Sequence, residues 1–278
     1  MKVCVLGSGQ MGTGIASLLV QSPQVSSVIL WARSSTALDK SYIRIKKEIR
    51  RFTKTSDLSQ EDLLRKLQPS AELVDIKGSQ FCIEAVAEDF EVKSNLLSQC
   101  SDFLDDDCII ATNTSSLSIT ALSMHVKKPE NVLGMHFFNP TSMMELVEIV
   151  EGLNTGEEVI AKAIRLAESV NKTPVLVKES PGFIVNRMLI PMINEAISVY
   201  AEGVASIEDI DKAMKLGANH PLGPISLADL IGTDVCLSIM ETLHIETGDP
   251  KYRAHPLLRQ YVRAGWLGRK VKKGFYNY

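Results

Sequence analysis

The sequence predicts an α/β protein: a mostly parallel sheet wrapped by crossover helices, followed by a smaller all-helical domain. Three observations carry this. Up to about residue 178, short runs apolar on both faces alternate with helical stretches. Beyond the Pro181-Gly182 break the pattern is helical, with no β-rich stretch. The 278 residues are 45% hydrophobic and 23% charged, enough material for a core in each of two domains.

The runs VCVL (3–6), SVILW (27–31), FCIEAV (81–86), CIIAT (108–112), VLGMHF (132–137) and ELVEIV (145–150) lack polar alternation. That suits strands of a parallel sheet covered by helices on both sides. Helical stretches at 12–20, 90–101 and 156–171 supply the crossovers of repeated βαβ units. Residues 36–67 form a long, charged, helical insertion with a break near Ser56–Ser59. The domains are placed at 1–180 and 181–278. In the second, helices are expected over Phe183–Glu202, Ser206–Leu216 and Thr233–Thr247. Ser206 with Asp209 is a start signal for the middle one. Pro191 should kink the first or divide it into two shorter helices. That helix is apolar over more than one face, as helices buried on several sides are.

A net charge of −3 gives no reason to expect nucleic acid or an anionic membrane as a partner. The five cysteines (4, 82, 100, 108, 236) are odd in number, contain no C-x-x-C and sit mostly in apolar segments. They read as buried reduced thiols of a cytoplasmic protein, and no metal is expected. The start, MKVCVLGSG, is already a strand and a turn, so no signal peptide is expected. No apolar run reaches the roughly 18 residues that a membrane span needs.

Gly7-Ser8-Gly9-Gln10-Met11-Gly12 follows the first strand and opens an apolar helix. In that context G-x-G-x-x-G marks a Rossmann-like dinucleotide site, the pyrophosphate resting on the helix N-terminus. The plain alternative is a glycine-rich turn without a ligand. In "GMHFFNPTSMMELVEIV", His136 ends one run and Glu148 stands in the middle of another. A carboxylate within V-E-I-V is costly to bury without a partner. A short turn between the runs can pair it with His136, fixing the tautomer and raising the basicity of the ring. Glu145 and Glu151 flank it, so a solvated charged face is the alternative. "TNTSSLSIT" (112–120) places Asn113, Thr114, Ser115 and Ser116 at a strand end, where open parallel sheets bind ligands. The same residues can cap the following helix. Asn186, in "ESPGFIVNR", lies on the first turns of the helix that opens the second domain.

GSGQMG, NTSSL, MHFFNP…VEIV, PGFIVNR, DKAMKLGANHPLGP and GWLGRKVKKGFY together resemble the L-3-hydroxyacyl-CoA dehydrogenases, nearest the stand-alone bacterial 3-hydroxybutyryl-CoA dehydrogenases. The resemblance covers nearly the whole chain. It implies a Rossmann-like domain followed by a helical domain through which the chain forms a homodimer. It implies interconversion of 3-hydroxyacyl-CoA and 3-oxoacyl-CoA with a nicotinamide cofactor, on an acyl group of four carbons. It gives His136 as catalytic base, Glu148 as its partner, Ser115 and Asn186 as substrate-side hydrogen-bonding residues, and Asn139 near the same site. The cofactor would meet Gly7, Gly9, Gln10, Met11, Gly12 and Asn113. A non-catalytic dinucleotide-binding module would need neither His136 nor Glu148. A dehydrogenase of other small hydroxy acids should lack the 36–67 insertion and the MHFFNP run.

Within the insertion, Tyr42, Ile45, Ile49 and Phe52 form an apolar stripe at helical spacing. Arg44, Lys47, Arg51 and Lys54 fall along another face, which either is solvated surface or meets the phosphates of CoA. "SVILWARSS" decides the cofactor. Where the second strand ends, an acid normally binds the adenosine ribose, and here the position holds Ala32. The nearest acid downstream, Asp39, lies beyond the turn. Arg33 follows at once, with Ser34 and Ser35 able to bond phosphate oxygens. NADP is therefore expected over NAD; with NAD, Arg33 would stack on the adenine or point into solvent.

Overall fold

Residues 1–54 and 58–278 are described by a computed structural model, and they fall into two units, Met1–Ser180 and Pro181–Tyr278. The first unit runs β1 (Lys2–Leu6), α1 (Gln10–Gln21), β2 (Ser27–Trp31), α2 (Ser35–Phe52), α3 (Gln60–Arg65), β3 (Leu67–Ser70), β4 (Phe81–Glu84), α4 (Phe90–Ser101), β5 (Ile109–Thr112), α5 (Ile119–Ser123), β6 (Val132–Phe137), β7 (Leu146–Glu151), α6 (Glu157–Ser169) and β8 (Thr173–Lys178). The strands form one sheet in the order β3-β2-β1-β4-β5-β6-β7-β8. Neighbours from β3 through β6 are parallel, β6 and β7 are antiparallel, and β8 is parallel to β7. The reversal has a local cause. Residues 138–145 are too short a connection for a crossover, so the strands they join must run opposite ways.

The order also reverses between β1 and β4. From β1 the chain adds strands outward on one side, and from β4 it adds them on the other. Such a switch point opens a crevice at the strand C-termini. Helix α1 starts there and is the most enclosed helix of the unit, with Gly12 to Val20 buried without a break. At Gly14 an added Cβ would come within 2.2 Å of Thr141 Oγ1, so α1 lies close against the β6–β7 connection.

The described part of the insertion is helical over Ser35–Phe52 and Gln60–Arg65, as its periodicity requires. Ile45 and Ile49 of α2 are fully buried, and Tyr42 and Phe52 pack against the same core. The expected break near Ser56–Ser59 lies partly on residues 55–57, outside the described residues. Ser59 caps α3, its hydroxyl accepting from the Asp62 amide. Two strands go beyond the six expected runs. β3 reads as a loop because Pro69 interrupts it, and β8 hides because most of its side chains are exposed. Both lie at sheet edges, where proline is tolerated in a strand.

The second unit is built from α7 (Val185–Ala201), α8 (Ile207–Gly217), α9 (Pro224–Ile231), α10 (Thr233–Thr247) and α11 (Pro256–Arg263). Helix α7 runs through Pro191 without dividing, so of the two expected outcomes, a kink or a division into shorter helices, the division does not occur. Ile190 before the proline and Ile193, Ala196 and Ile197 after it are buried in one cluster, which holds both halves in line. Helices α9 and α11 were not foreseen. Asp229, almost fully buried, accepts from the amides of Phe275 and Tyr276 and so fastens the C-terminal segment onto α9. Asp211 accepts from Ile225 N, Ser226 N and Tyr276 Oη, joining α8 to α9 and to the same segment.

Among the described residues no helix is long and apolar enough to cross a membrane. All five cysteines are free and buried. Burial pushes the thiols of Cys100, Cys108 and Cys236 up, the last to about 12, so they stay protonated and inert.

Candidate active site

The glycine turn lies at the switch point, between the ends of β1 and β4. Each glycine there has its own reason. Gly7 has φ +115°, and a Cβ would stand 2.5 Å from Ala85 O. At Gly12 a Cβ would stand 2.0 Å from Gly7 O, so the first turn of α1 packs directly on the loop. Gly9 differs. Its φ of −70° suits any residue, and a Cβ there would meet nothing within 4 Å. Neither conformation nor packing asks for glycine at this position. What asks is a ligand that must approach the backbone, as a pyrophosphate does. Gly9 is the N-cap of α1, no side chain caps the helix, and its first turn holds no acid. The free amides and the helix dipole are left for an anion. The residues present fit a dinucleotide.

The β6–β7 register sets His136 directly opposite Glu148. His136 Nδ1 lies 2.7 Å from Glu148 Oε2, and the two side chains are 8% and 1% exposed. A carboxylate only accepts, so Nδ1 carries the proton and Nε2 is the ring's basic atom. The connection after His136 is held from three sides. Gln10 Nε2 donates to Asn139 Oδ1 at 2.8 Å, linking the glycine turn to Asn139. Lys172, buried, donates from Nζ to the carbonyls of Thr141 and Met144. Thr141 is itself buried against α1.

The segment after β5 is organised otherwise than a helix cap. Ser118, not Asn113 to Ser116, caps α5. Asn113 Oδ1 accepts from Phe137 N at 2.9 Å and so ties the end of β5 to the residue after His136. Ser115 and its neighbours are gathered by a residue that the sequence reading missed. Glu88 Oε1 accepts from Thr114 Oγ1 (2.6 Å), from the Ser115 amide and hydroxyl (2.8 and 3.2 Å) and from the Ser116 amide and hydroxyl (3.2 and 3.1 Å). Burial pulls the Glu88 carboxyl up, but the Lys93 ammonium and these donors outweigh it and hold it below the ordinary carboxylate range. Lys93 Nζ lies 3.3 Å from Glu88 Oε2 and 2.7 Å from Glu84 Oε1. Glu84 and Lys93 were missed as well. Glu84 had a signal, a carboxylate inside FCIEAV just as Glu148 stands inside VEIV.

Met11 is half-buried against the core. Arg33 is exposed just beyond β2, and Ser34 caps α2, its hydroxyl accepting from Ala37 N. Asp39 is exposed inside α2. Lys54 is exposed just past the C-terminus of α2. Asn186 stands on the first turn of α7, in the second unit.

A glycine turn open to a dinucleotide, at the switch point of a mostly parallel sheet and bonded to the connection that follows a buried His–Glu pair, fits the class of nicotinamide-dependent dehydrogenases. Residues 2–180 match the family model described as 3-hydroxyacyl-CoA dehydrogenase, NAD binding domain, and residues 182–278 match that of the 3-hydroxyacyl-CoA dehydrogenase C-terminal domain. The chain belongs to the 3-hydroxyacyl-CoA dehydrogenase family. It is 47% identical to a 3-hydroxybutyryl-CoA dehydrogenase of Clostridioides difficile, over 100% of this chain and 99% of that protein. It is 34% identical to a mitochondrial hydroxyacyl-coenzyme A dehydrogenase of Sus scrofa, over 99% and 90% of the two chains. The crystal structure of an (S)-3-hydroxybutyryl-CoA dehydrogenase of Ralstonia eutropha is similar to it with a TM-score of 0.94 and 41% identity, covering 100% and 98% of the two chains.

The two kinds of glycine separate in one experiment. Gly9→Val should fold and melt like the parent yet raise the dissociation constant for reduced nicotinamide dinucleotide at least about tenfold, some 1.4 kcal/mol. Gly12→Val should lose thermal stability as well. Fluorescence titration beside thermal melting reads both; parental cofactor affinity in Gly9→Val would remove the ligand from the explanation of Gly9.

Proposed function

We propose that the chain interconverts an L-3-hydroxyacyl-CoA and the matching 3-oxoacyl-CoA, with a four-carbon acyl group, and that His136 is its acid–base residue. The His136–Glu148 bond carries this reading, and the names of the 41–47% identical relatives support the substrate. In oxidation, His136 Nε2 takes the proton of the substrate hydroxyl, and Glu148 stabilises the imidazolium that results. When bound, the nicotinamide supplies the acceptor for the hydride leaving C3. In reduction, the imidazolium returns its proton to the oxygen at C3. Ser115 and Asn186 are the residues proposed to hold that oxygen and the acyl group in line, with Asn139 beside them. His136→Gln is expected to keep the fold and cofactor binding and to lose roughly 10²–10⁴ of turnover. Stopped-flow or steady-state assay with acetoacetyl-CoA checks it, and near-parental turnover would end this mechanism.

We infer that α2 receives the CoA moiety. Lys47, Arg51 and Lys54 are exposed cations, while the opposite stripe of α2 is spent in the core. Charge reversal at the three should raise the Michaelis constant for acetoacetyl-CoA more than that for a pantetheine analogue lacking the nucleotide. Equal rises for both would place the phosphates elsewhere.

The cofactor is inferred to be NADP rather than NAD. Ala32 is buried where an acid is usual, Arg33 is exposed beside it, and the first turn of α2 contains no acid to repel a 2′-phosphate. Ser34, though its oxygen serves the cap, keeps its proton for a phosphate oxygen. With acetoacetyl-CoA the efficiency ratio for NADPH over NADH should exceed one, fall in Arg33→Ala and fall further in Ala32→Asp. A parental preference for NADH would reverse the assignment.

The second unit is proposed to form a homodimer. Met188, Leu216 and Ile245, on α7, α8 and α10, are 72%, 78% and 77% exposed, large apolar side chains that a second copy would cover. Light scattering at micromolar concentration should give twice the chain mass of 30.6 kDa, and the monomer mass would contradict it. The free, buried cysteines support a reducing compartment, the cytoplasm.

A further inference from the structure

We propose that Glu84 and Lys93 are positioning residues: Glu84 anchors the Lys93 ammonium against Glu88, and through Glu88 they hold the Thr114–Ser116 turn in the geometry that presents Ser115. The inference rests on the proposed part of Ser115 in the reaction.

The arrangement is a chain of buried charges that the proton transfer does not use. Glu84 is fully buried at the end of β4, and Lys93, on α4, is 1% exposed. Glu84 Oε1 accepts from Lys93 Nζ at 2.7 Å and from Val86 N at 2.6 Å, and its Oε2 accepts from Thr112 Oγ1 at 2.6 Å. One carboxylate thus ties the loop that packs on Gly7 to the end of β5. Burying two charges is costly unless they are paired and hydrogen-bonded, and here Glu84 accepts from three donors while Lys93 meets two carboxylates. Lys93 also faces Glu88, at the mouth of the turn, at 3.3 Å. The cation is shared between a carboxylate with no exposure and one that is 38% exposed.

Charge is the reason the turn needs this chain. A single oxygen, Glu88 Oε1, accepts all the donors of Thr114, Ser115 and Ser116 named above, which suits an ionised carboxylate. A protonated carboxyl is a weaker acceptor and brings a hydrogen into a space already filled with donors. The groups that face Glu88 are Lys93 from α4, with Glu84 of β4 behind it, and the hydroxyl and amide donors that follow β5. Of these only the lysine carries positive charge. Without it, burial is opposed by hydrogen bonds alone, and Glu88 takes up its proton at higher pH.

The experiment is the pH profile of acetoacetyl-CoA reduction. In that direction His136 gives a proton to the substrate, so an acid limb that appears only in the variant has to come from another group. Glu84→Gln with Lys93→Met removes both buried charges at once and avoids leaving either alone. The double variant should fold, with kcat falling on the acid side at a higher pH than in the parent, because the cation that touches Glu88 is gone. At alkaline pH it should recover toward the parent. Glu88→Gln, at a part-exposed position, is the second variant. It should lower kcat about tenfold or more across the whole range, with a smaller change in KM and no displaced limb, since nothing titrates there. A parental limb in the folded double variant, or parental kcat in Glu88→Gln, would overturn the proposal. His136→Gln in parallel separates the failures. If it is inactive while these variants behave as the parent, the mechanism stands and the positioning chain falls.

Discussion

A carboxylate with no exposure, set in a strand that is apolar on both sides, is the constraint on which this site depends. Glu148 cannot stay in β7 unless something bonds it. The antiparallel pairing of β6 and β7 supplies His136 as its cross-strand partner. That pairing exists because residues 138–145 are a short connection in a sheet that is parallel up to that point. Chain length between two strands therefore decides which residue faces Glu148. A one-residue slip would turn Glu148 to the other face of the sheet and leave the ring without its carboxylate.

The same logic of compensation surrounds the pair. The ends of β1, β4, β5 and β6 meet at one edge of the sheet, and side chains stitch them together. Gln10 joins the glycine turn to Asn139, Asn113 joins β5 to Phe137, and Glu84 joins β4 to β5. These bonds run between elements distant in sequence, so they hold the edge of the sheet as one rigid frame. Reaction geometry that must be kept to fractions of an ångström is best carried on such a frame. Lys172 extends it to the connection after His136 by taking two carbonyls that would otherwise be bonded only to water.

Much of this was legible in the residues themselves. Runs apolar on both faces gave the central strands, and Gly7 to Gly12 marked the switch point because a strand precedes them and a helix follows. Glu148 announced itself as a charge where none should be buried. Other parts were not legible, for reasons that differ. β3 and β8 lie at the sheet edges, one interrupted by Pro69 and the other largely exposed, so neither has a core face to give a pattern. Pro191 argued for a kink or a break in α7, and burial on both sides of the proline keeps the helix in one piece. Glu88 sits among other acids in AEDFE, and its partners after β5 are remote in sequence, so nothing local distinguishes it. Glu84 carried the same signal as Glu148 and was legible in principle. The roles given to Ser115 and Asn186 came from the family resemblance, since short polar side chains at a strand end or helix start fit caps equally well.

The central claim is that a dinucleotide turn and the His136–Glu148 pair serve an acyl-CoA substrate. The most direct measurement is oxidation of NADPH and NADH, followed by absorbance, with acetoacetyl-CoA and with free acetoacetate at equal concentration. Turnover is expected with acetoacetyl-CoA, and little or none with the free acid. Equal turnover of the two, or no turnover of acetoacetyl-CoA with either cofactor, would contradict it.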